Sequence, residues 1–196
     1  SFHPVKSITT AEGGMITTNN KKYYEDLLLF REHGINRNIN KKKYRPKYYE
    51  QTKIGFNYRM NDIEAVLGIQ QLKKLNGFIK KREEIFNKYK LRLNNNIFNY
   101  PENLSNCKSS HHLFIILLKK NNPKKRNIIF SKLLKYGIGV NIHYMPIYKH
   151  PFYKSKKKFF LENSELYYNN CISIPIFPTL TNKEQNYVIK IINSLK

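Results

Sequence analysis

The sequence predicts an α/β fold, because segments whose apolar residues recur at helical spacing alternate with short apolar segments of the kind that form strands. Two predicted helices end at a glycine, Gly34 and Gly137, and glycine is common at the residue that follows a helix. The 196 residues are 40% hydrophobic, so the chain can bury a core of one domain or slightly more.

The start of the chain is predicted to contain one strand, one helix and one loop. Residues 15–18 follow paired glycines and form a short strand candidate. Residues 22–33 form a helix whose apolar face carries Leu27, Leu28 and Phe30. Residues 36–52 are polar and aperiodic, which indicates a loop.

Two further helices are predicted before residue 95. The first begins at Asn61 or Asp62, either of which can cap a helix, and the second spans residues 78–93. The apolar residues of the first helix are Ile63, Val66, Leu67, Ile69 and Leu72. For the second helix, the spacing predicts a buried side that carries Ile79, Ile85, Phe86, Tyr89 and Leu93.

The second half of the chain is predicted to combine three strands and two helices. In chain order these are a strand at 112–118, a helix at 127–136, strands at 138–142 and 171–174, and a helix at 183–195. This arrangement is typical of a small α+β unit. We therefore expect two domains, 1–95 and 96–196, with the helix before residue 95 as their connector.

The formal net charge of +23 has two interpretations. A basic chain can bind nucleic acid or another anion. The chain contains 29 lysines, 7 arginines and 25 asparagines, and the joint excess of Lys, Asn and Ile indicates drift toward AT-rich codons. Arginine, which suits base reading and phosphate binding, is scarce, and the lysines are scattered. We prefer a solvated surface without a ligand, and an anionic partner or substrate is the alternative.

The sequence does not indicate a membrane span, a secretory signal or a metal site. No window holds the ~18 consecutive apolar residues of a span, and no signal-peptide pattern is visible. Cys107 and Cys171 form no metal-binding pair, so we expect both to be buried free thiols in a reducing, cytoplasmic compartment.

Four blocks of sequence carry a resemblance to a known family. The first is SFHPVK with TTAEGGMITTN, the second is FREHG with IGFNYRMNDIEAVLG, and NIHYMPIY and CISIPIFP follow. In this order they resemble the DegT/StrS-type sugar aminotransferases, which are fold-type-I enzymes that use pyridoxal 5′-phosphate. The resemblance implies that residues 1–95 are the C-terminal part of a large cofactor-binding domain and that residues 96–196 are a small C-terminal domain.

Lys6 is the predicted catalytic residue, and it also binds the cofactor. The chemistry of pyridoxal 5′-phosphate requires a primary amine that holds the cofactor covalently and later moves a proton between two carbons of the substrate. Only lysine carries such an amine on a long, flexible stem. Lys6 matches the lysine of the family. The alternative, a simple surface lysine, applies to almost any other lysine in the chain.

Two further residues are predicted to hold the cofactor phosphate. Ser1 precedes Lys6 by five residues, the spacing at which the family places a hydroxyl donor, and its alternative is a frayed chain end. Asn57 matches the family asparagine that reaches the phosphate of the neighbouring subunit, so the resemblance implies a homodimer with shared sites. The alternative for Asn57 is a turn residue next to Gly55.

Three residues are predicted to contact the substrate. Arg59 has the bidentate fork that suits a diphosphate or a carboxylate, and a structural ion pair is its alternative. His143 and Tyr144 follow an apolar segment, and polar groups at the end of a strand often line a site. The resemblance places them beside the substrate sugar, whereas the alternative for His143 is a buried histidine with satisfied hydrogen bonds.

The resemblance implies transfer of an amino group, usually from glutamate, to a nucleotide-linked 4-keto-6-deoxy sugar. The family residues that stack on the pyridine ring and neutralise its nitrogen lie upstream, so we expect this chain to be the C-terminal half of an enzyme and inactive alone. Three alternatives stay open: a dehydratase of the same fold in which histidine replaces Lys6, a basic nucleic-acid-binding domain, and a regulatory or inactive fragment.

Overall fold

The computed structural model describes five stretches of the chain, which are residues 1–36, 49–94, 96–102, 104–153 and 160–195. The chain forms two compact units, unit 1 (Ser1–Lys74) and unit 2 (Leu75–Lys196). The division falls inside a helix, whereas the predicted domain boundary lies near residue 95. The assignment of the two segments to a large and a small domain stays a prediction.

Unit 1 begins with an irregular segment and a short helix. Residues 15–18, predicted as a strand, are irregular, because no strand pairs with them in the described part of the chain. Helix α1 (Lys21–Arg31) follows, and the Asn20 side chain accepts a hydrogen bond from the backbone of Tyr23 in its first turn. The predicted helix is confirmed, and Gly34, with a φ of 70°, follows its end.

A two-stranded antiparallel sheet comes next, formed by β1 (Ile35–Asn36) and β2 (Glu50–Gln51). The sequence does not predict these strands, because two residues are too few to show alternation. Most of the predicted loop, residues 37–48, lies outside the described residues. Glycine is required beside β1, since an added Cβ on Gly34 would lie 1.8 Å from the carbonyl oxygen of Lys53.

Helix α2 (Asp62–Arg92) is a single helix of 31 residues where the sequence predicts two. Asn61 caps it reciprocally: its side chain accepts from the Glu64 backbone at 2.9 Å, and the Glu64 carboxylate accepts from the Asn61 backbone at 3.1 Å. Gly77 does not interrupt the helix, because one glycine costs only about 1 kcal/mol in a helix interior.

The apolar residues of unit 1 are exposed or half-buried. In α2, Ile63 and Ile69 are 83% and 54% exposed, and no hydrophobic side chain is buried among the described residues of unit 1. The apolar residues in the first half of α2 therefore lie at the surface of this chain. Helical spacing shows which residues share a side of the helix, but it does not show whether anything covers that side.

Unit 2 contains a three-stranded antiparallel sheet and three further α-helices. The strands are β3 (Phe98–Asn99), β4 (Phe114–Leu118) and β5 (Cys171–Ile174), in the order β3-β4-β5. The helices are α3 (Pro123–Lys135), α4 (Glu162–Asn170) and α5 (Asn182–Ser194). Two short 3₁₀ helices, Ile147–Lys149 and Pro151–Tyr153, lie between α3 and α4.

Most of the elements predicted for unit 2 are confirmed. The strands predicted at 112–118 and 171–174 correspond to β4 and β5, and the predicted helices correspond to α3 and α5. The strand predicted at 138–142 is wrong, because within it Asn141 alone pairs with another strand, at Ser173 of β5. Helix α4 is not predicted, since its sequence lacks helical spacing of apolar residues.

The hydrophobic core lies in unit 2. Phe114 and Ile116 of β4 and Ile172 of β5 are completely buried, and Tyr89 of α2 packs on Phe114 with ring centroids 5.0 Å apart. The Tyr89 hydroxyl donates to the Pro175 carbonyl at 2.9 Å, and burial raises the pKa of this phenol. The prediction that the second half of α2 is buried is confirmed at Ile85, Tyr89 and Leu93.

A buried charge links α2 to one end of this sheet, where β4 begins and β5 ends. Arg82 is 6% exposed, and its Nη1 donates to the carbonyls of His111, His112 and Ile176 at 3.4, 3.1 and 2.8 Å. Burial lowers the pKa of the guanidinium. Since His111 and His112 precede β4 and Ile176 follows β5, one side chain fixes both segments against α2.

The two cysteines differ in environment. Both are free thiols; Cys171 is completely buried and Cys107 is exposed, so the prediction of burial is wrong for Cys107. Burial raises the pKa of the Cys171 thiol. Across the described stretches, none of the helices is both long enough and apolar enough to pass through a membrane.

Replacing Arg82 with leucine should lower the free energy of unfolding by about 3 kcal/mol, because the carbonyls of His111, His112 and Ile176 lose their hydrogen-bond donor. Urea denaturation measures this loss. Arg92→Leu is the matched control: Arg92 is exposed in the same helix, and its replacement should change stability by less than ~0.5 kcal/mol. Equal losses in the two variants would contradict the role given to Arg82.

Candidate active site

Lys6 lies in a loop that backbone hydrogen bonds close on itself. The Phe2 N–H donates to the Gly13 carbonyl, the Thr10 N–H donates to the Phe2 carbonyl, and the Lys6 N–H donates to the His3 carbonyl, each at 3.0 Å. We call residues 2–13 the lysine loop. These bonds fix the backbone at Lys6, although the loop contains no helix or strand.

The amine of Lys6 is available for chemistry. The side chain is half-buried and makes no ion pair or hydrogen bond with any other residue that the structure describes. In contrast, Lys53 pairs with Asp26 and Lys149 pairs with Glu165. A primary amine that is held by its backbone and has no carboxylate partner can bind a carbonyl group.

Thr10 packs against α2 and thereby holds the lysine loop next to this helix. It is 1% exposed, and its hydroxyl donates to the Glu12 carbonyl. An added Cβ on Gly68 would lie 2.8 Å from Thr10 Cγ2, and one on Gly13 would lie 2.8 Å from Thr10 Oγ1. Gly13 also has a φ of 134°, which side chains rarely adopt. The two glycines therefore leave the space that Thr10 occupies.

Ser1 precedes the lysine loop and contacts it. Its Oγ accepts a hydrogen bond from the His3 backbone at 3.4 Å, and the residue is exposed. Because the hydroxyl only accepts in this contact, its hydrogen can be donated to another acceptor, such as a phosphate oxygen.

Asn57 and Arg59 lie on a segment that pairs with the end of α1. Asn57 forms an antiparallel bridge with Glu32, and the Tyr58 N–H donates to the Arg31 carbonyl at 3.0 Å. The Arg59 guanidinium lies 3.7 Å from the Glu32 carboxylate. This contact is the structural ion pair that the sequence offers as the alternative to substrate binding. Exposed pairs of this kind contribute less than ~1 kcal/mol, so Arg59 can also bind other acceptors.

The lysine loop and this segment are in contact. An added Cβ on Gly13 would lie 3.1 Å from the Cε of Met60, the residue after Arg59. Within unit 1, Gly13 at the end of the lysine loop therefore lies close to Met60, which follows Arg59.

His143 and Tyr144 belong to unit 2. His143 is half-buried, its Nδ1 lies 2.7 Å from Ser173 Oγ, and the Tyr144 ring meets it edge-on with centroids 4.7 Å apart. Tyr144 is exposed. The histidine thus has the hydrogen-bond partner expected of a structural residue, and it stands beside an exposed phenol.

Comparison with known proteins assigns the chain to a family. The profile of the DegT/DnrJ/EryC1/StrS aminotransferase family matches residues 1–193. The chain belongs to this family.

Relatives within the DegT/DnrJ/EryC1/StrS family agree with this assignment. The chain is 38% identical over 190 residues to the UDP-4-amino-4,6-dideoxy-N-acetyl-beta-L-altrosamine transaminase of Campylobacter jejuni, a match that covers 96% of this chain and 49% of the relative. It is 27% identical over 210 residues to the spore coat polysaccharide biosynthesis protein SpsC of Bacillus subtilis, covering 100% of this chain and 52% of the relative.

Solved structures show the same fold. PseC of Helicobacter pylori, described as an aminotransferase involved in the biosynthesis of pseudoaminic acid, is 34% identical with a TM-score of 0.87, covering 98% of this chain and 51% of that chain. Spr1654 of Streptococcus pneumoniae, in its PMP-form, is 25% identical with a TM-score of 0.86. This match covers 100% of this chain and 51% of that chain. The predicted fold-type-I class is confirmed, and the chain spans about half the length of the curated relatives that it matches.

Three residues that contact the lysine loop or a candidate side chain within their own unit are not predicted from the sequence: Thr10, Gly68 and Ser173. Each has a local signal. Thr10 directly precedes the AEGG turn, Gly68 is a glycine inside an otherwise apolar stretch of α2, and Ser173 interrupts the apolar segment CISI. The signals do not reveal the partners, because the contacts join residues distant in the sequence.

No group of three metal-ligating side chains occurs in the described stretches.

Gly68→Ala should displace the lysine loop of this aminotransferase-family chain, because the new Cβ would meet Thr10 Cγ2. We expect hydrogen exchange at the Lys6 and Thr10 amides to become at least several-fold faster, as measured by mass spectrometry or NMR. Gly77→Ala is the control: its Cβ meets nothing within 4 Å, so it should stabilise α2 by up to about 1 kcal/mol without affecting the loop.

Adding Thr10→Ser to Gly68→Ala removes the methyl group that clashes and should restore slow exchange. Unchanged exchange in Gly68→Ala would show that the contact between Thr10 and α2 does not hold the loop.

Proposed function

We propose that this chain is part of a pyridoxal 5′-phosphate-dependent aminotransferase, which transfers an amino group from glutamate to a nucleotide-linked 4-keto-6-deoxy sugar. Lys6 carries the proposal. Its amine stands in a fixed loop, without a partner among the described residues, in a segment that matches the family from residue 1 onward. The proposal concerns the complete enzyme, because the chain spans about half the length of its relatives.

The side chains present in unit 1 suit the cofactor. An aldehyde and a phosphate monoester require a primary amine and several neutral or cationic donors, and Lys6, Ser1 and Asn57 supply an amine, a hydroxyl and an amide. The structure of the Spr1654 relative in a PLP-form supports this choice. When bound, pyridoxal 5′-phosphate supplies the electron sink that lets an amino group pass between two carbon skeletons.

Each residue has a distinct role in the proposal. The Lys6 amine would hold the cofactor through its aldehyde and, once the incoming amine has displaced it, would move the proton at the substrate carbon. Ser1 and Asn57 donate to the phosphate, Asn57 doing so for the neighbouring subunit of a homodimer. Lysine at position 6 also argues against the dehydratase alternative, in which histidine occupies this place.

The acceptor in the proposal is a UDP-linked 4-keto-6-deoxy-hexose, held by Arg59, His143 and Tyr144. The relatives from Campylobacter jejuni and Helicobacter pylori, both transaminases of a UDP-linked altrosamine, support the nucleotide and the sugar. The net charge of +23 raises the local concentration of a diphosphate-bearing ligand. The pathway would be cell-surface or flagellin glycan biosynthesis, in a cytoplasmic compartment where Cys107 and Cys171 remain free thiols.

Borohydride reduction of the complete enzyme with pyridoxal 5′-phosphate should place the pyridoxyl mass on Lys6, because its amine binds the aldehyde. Peptide mapping by mass spectrometry locates the label. Lys6→Ala should abolish turnover and keep the circular dichroism spectrum, whereas Lys53→Ala, which removes a lysine paired with Asp26, should stay active. A label confined to another lysine would overturn the assignment.

Mixing Lys6→Ala and Asn57→Ala subunits of the complete enzyme should recover part of the activity. If Asn57 completes the site of the neighbouring subunit, both lesions fall in one site of the hybrid dimer and the other site is intact. Turnover is measured after exchange, with mass spectrometry confirming the hybrids. Hybrid dimers that form and remain inactive would argue against a shared site.

A panel of UDP-, dTDP- and GDP-linked keto sugars tests the acceptor. With glutamate as donor, kcat/KM should be highest for the UDP-linked 4-keto-6-deoxy sugar. A buried donor left without its partner hydroxyl costs about 1–3 kcal/mol, so an acceptor lacking that hydroxyl should react roughly 10- to 100-fold more slowly. Preference for a dTDP- or GDP-linked acceptor would overturn the substrate and leave the reaction class standing.

A further inference from the structure

Ser173 is a buried polar residue inside an apolar strand. All four residues of β5 are buried, and Ser173 is 6% exposed. A hydroxyl in such a place costs free energy unless it is hydrogen-bonded. Its partner is the imidazole of His143, whose Nδ1 lies 2.7 Å from the Ser173 Oγ.

The backbone of Ser173 holds the same segment as its side chain. The Ser173 N–H donates to the Asn141 carbonyl at 2.8 Å, and the Asn141 N–H donates to the Ser173 carbonyl at 3.2 Å. Ser173 also stands opposite Ile115 of β4 in the sheet register. His143 therefore lies two residues after Asn141, which pairs with Ser173 through the backbone, and its ring is hydrogen-bonded to the Ser173 side chain.

We infer that Ser173 is a positioning residue for His143: its hydroxyl sets the orientation of the imidazole ring. A serine hydroxyl can donate to Nδ1 or accept from it, so it holds the ring in place whichever ring nitrogen carries the proton. The edge-on ring of Tyr144 limits rotation on another side. The inference rests on the proposed function, in which His143 presents this ring to the substrate sugar.

The first test needs no turnover. In the 196-residue chain labelled with ¹⁵N, long-range NMR correlations report the two ring nitrogens of each histidine. In the wild type, the Nδ1 shift of His143 should depart from that of free histidine, because this nitrogen is hydrogen-bonded to the Ser173 hydroxyl. In Ser173→Ala it should move toward the value of free histidine, while Ser173→Thr, which keeps the hydroxyl, should resemble the wild type.

The exposed His150 is an internal control whose ring shifts should be the same in all variants. Wild-type ring shifts in Ser173→Ala would overturn the inference. If Ser173→Ala does not fold, as judged by its amide spectrum, Ser173→Cys offers a similar volume with a much weaker donor. It should shift the His143 ring nitrogens in the same direction, and unchanged shifts there would equally overturn the inference.

The second test separates positioning from general stability. In the complete enzyme, Ser173→Ala should lower kcat/KM for the keto sugar about tenfold, mainly through KM, and should have no further effect when His143→Ala is already present. The same tenfold loss in both backgrounds would mean that Ser173 acts through the fold, which overturns the inference. Absence of amino transfer in the wild type would refute the proposed function, and the NMR comparison would still decide the role of Ser173.

Discussion

The buried guanidinium of Arg82 is the contact on which unit 2 depends. Burying a charge costs several kcal/mol unless hydrogen bonds compensate for the lost water. Here Nη1 donates to the carbonyls before β4 and after β5, and Nε has no partner among the described residues. Phe114 pairs with Ile174 at this end of the sheet, so Arg82 holds both strands close to α2. The strand that carries Ser173, the partner of His143, is thus held just beyond its end by a buried charge.

Unit 1 positions its residues by different means. It has no buried hydrophobic side chain among its described residues, and the lysine loop is ordered by backbone hydrogen bonds and by the close contact of Thr10 with Gly13 and Gly68. One added methyl group on either glycine would disturb these contacts, because close-packed atoms can make room for it only if the backbone moves. Lys6 and His143 are therefore held by distinct types of interaction: local fit in unit 1, and a core with buried polar groups in unit 2.

Local signals account for what the sequence predicts correctly. Terminal glycines locate the ends of α1 and α3, a capping residue locates the start of α2, and an apolar run ending at Pro175 locates β5. Contacts between distant residues account for the failures. The bond between His143 and Ser173 spans 30 residues, and residues 138–142 are apolar enough for a strand but lack a partner along their length. Predicting these contacts requires the tertiary arrangement, which periodicity does not contain.

The exposed apolar side of α2 affects how natural variation in this chain should be interpreted. A lysine in place of Ile63, which is 83% exposed, would change the stability of the chain very little, because the side chain gives up almost no buried surface. The same substitution would be costly in any assembly that covers this side of the helix, since a charge would then be buried. In such an assembly, stability measurements on the isolated polypeptide would underestimate the constraint on residues 63–72, and comparison of variant sequences would reveal it more faithfully than calorimetry.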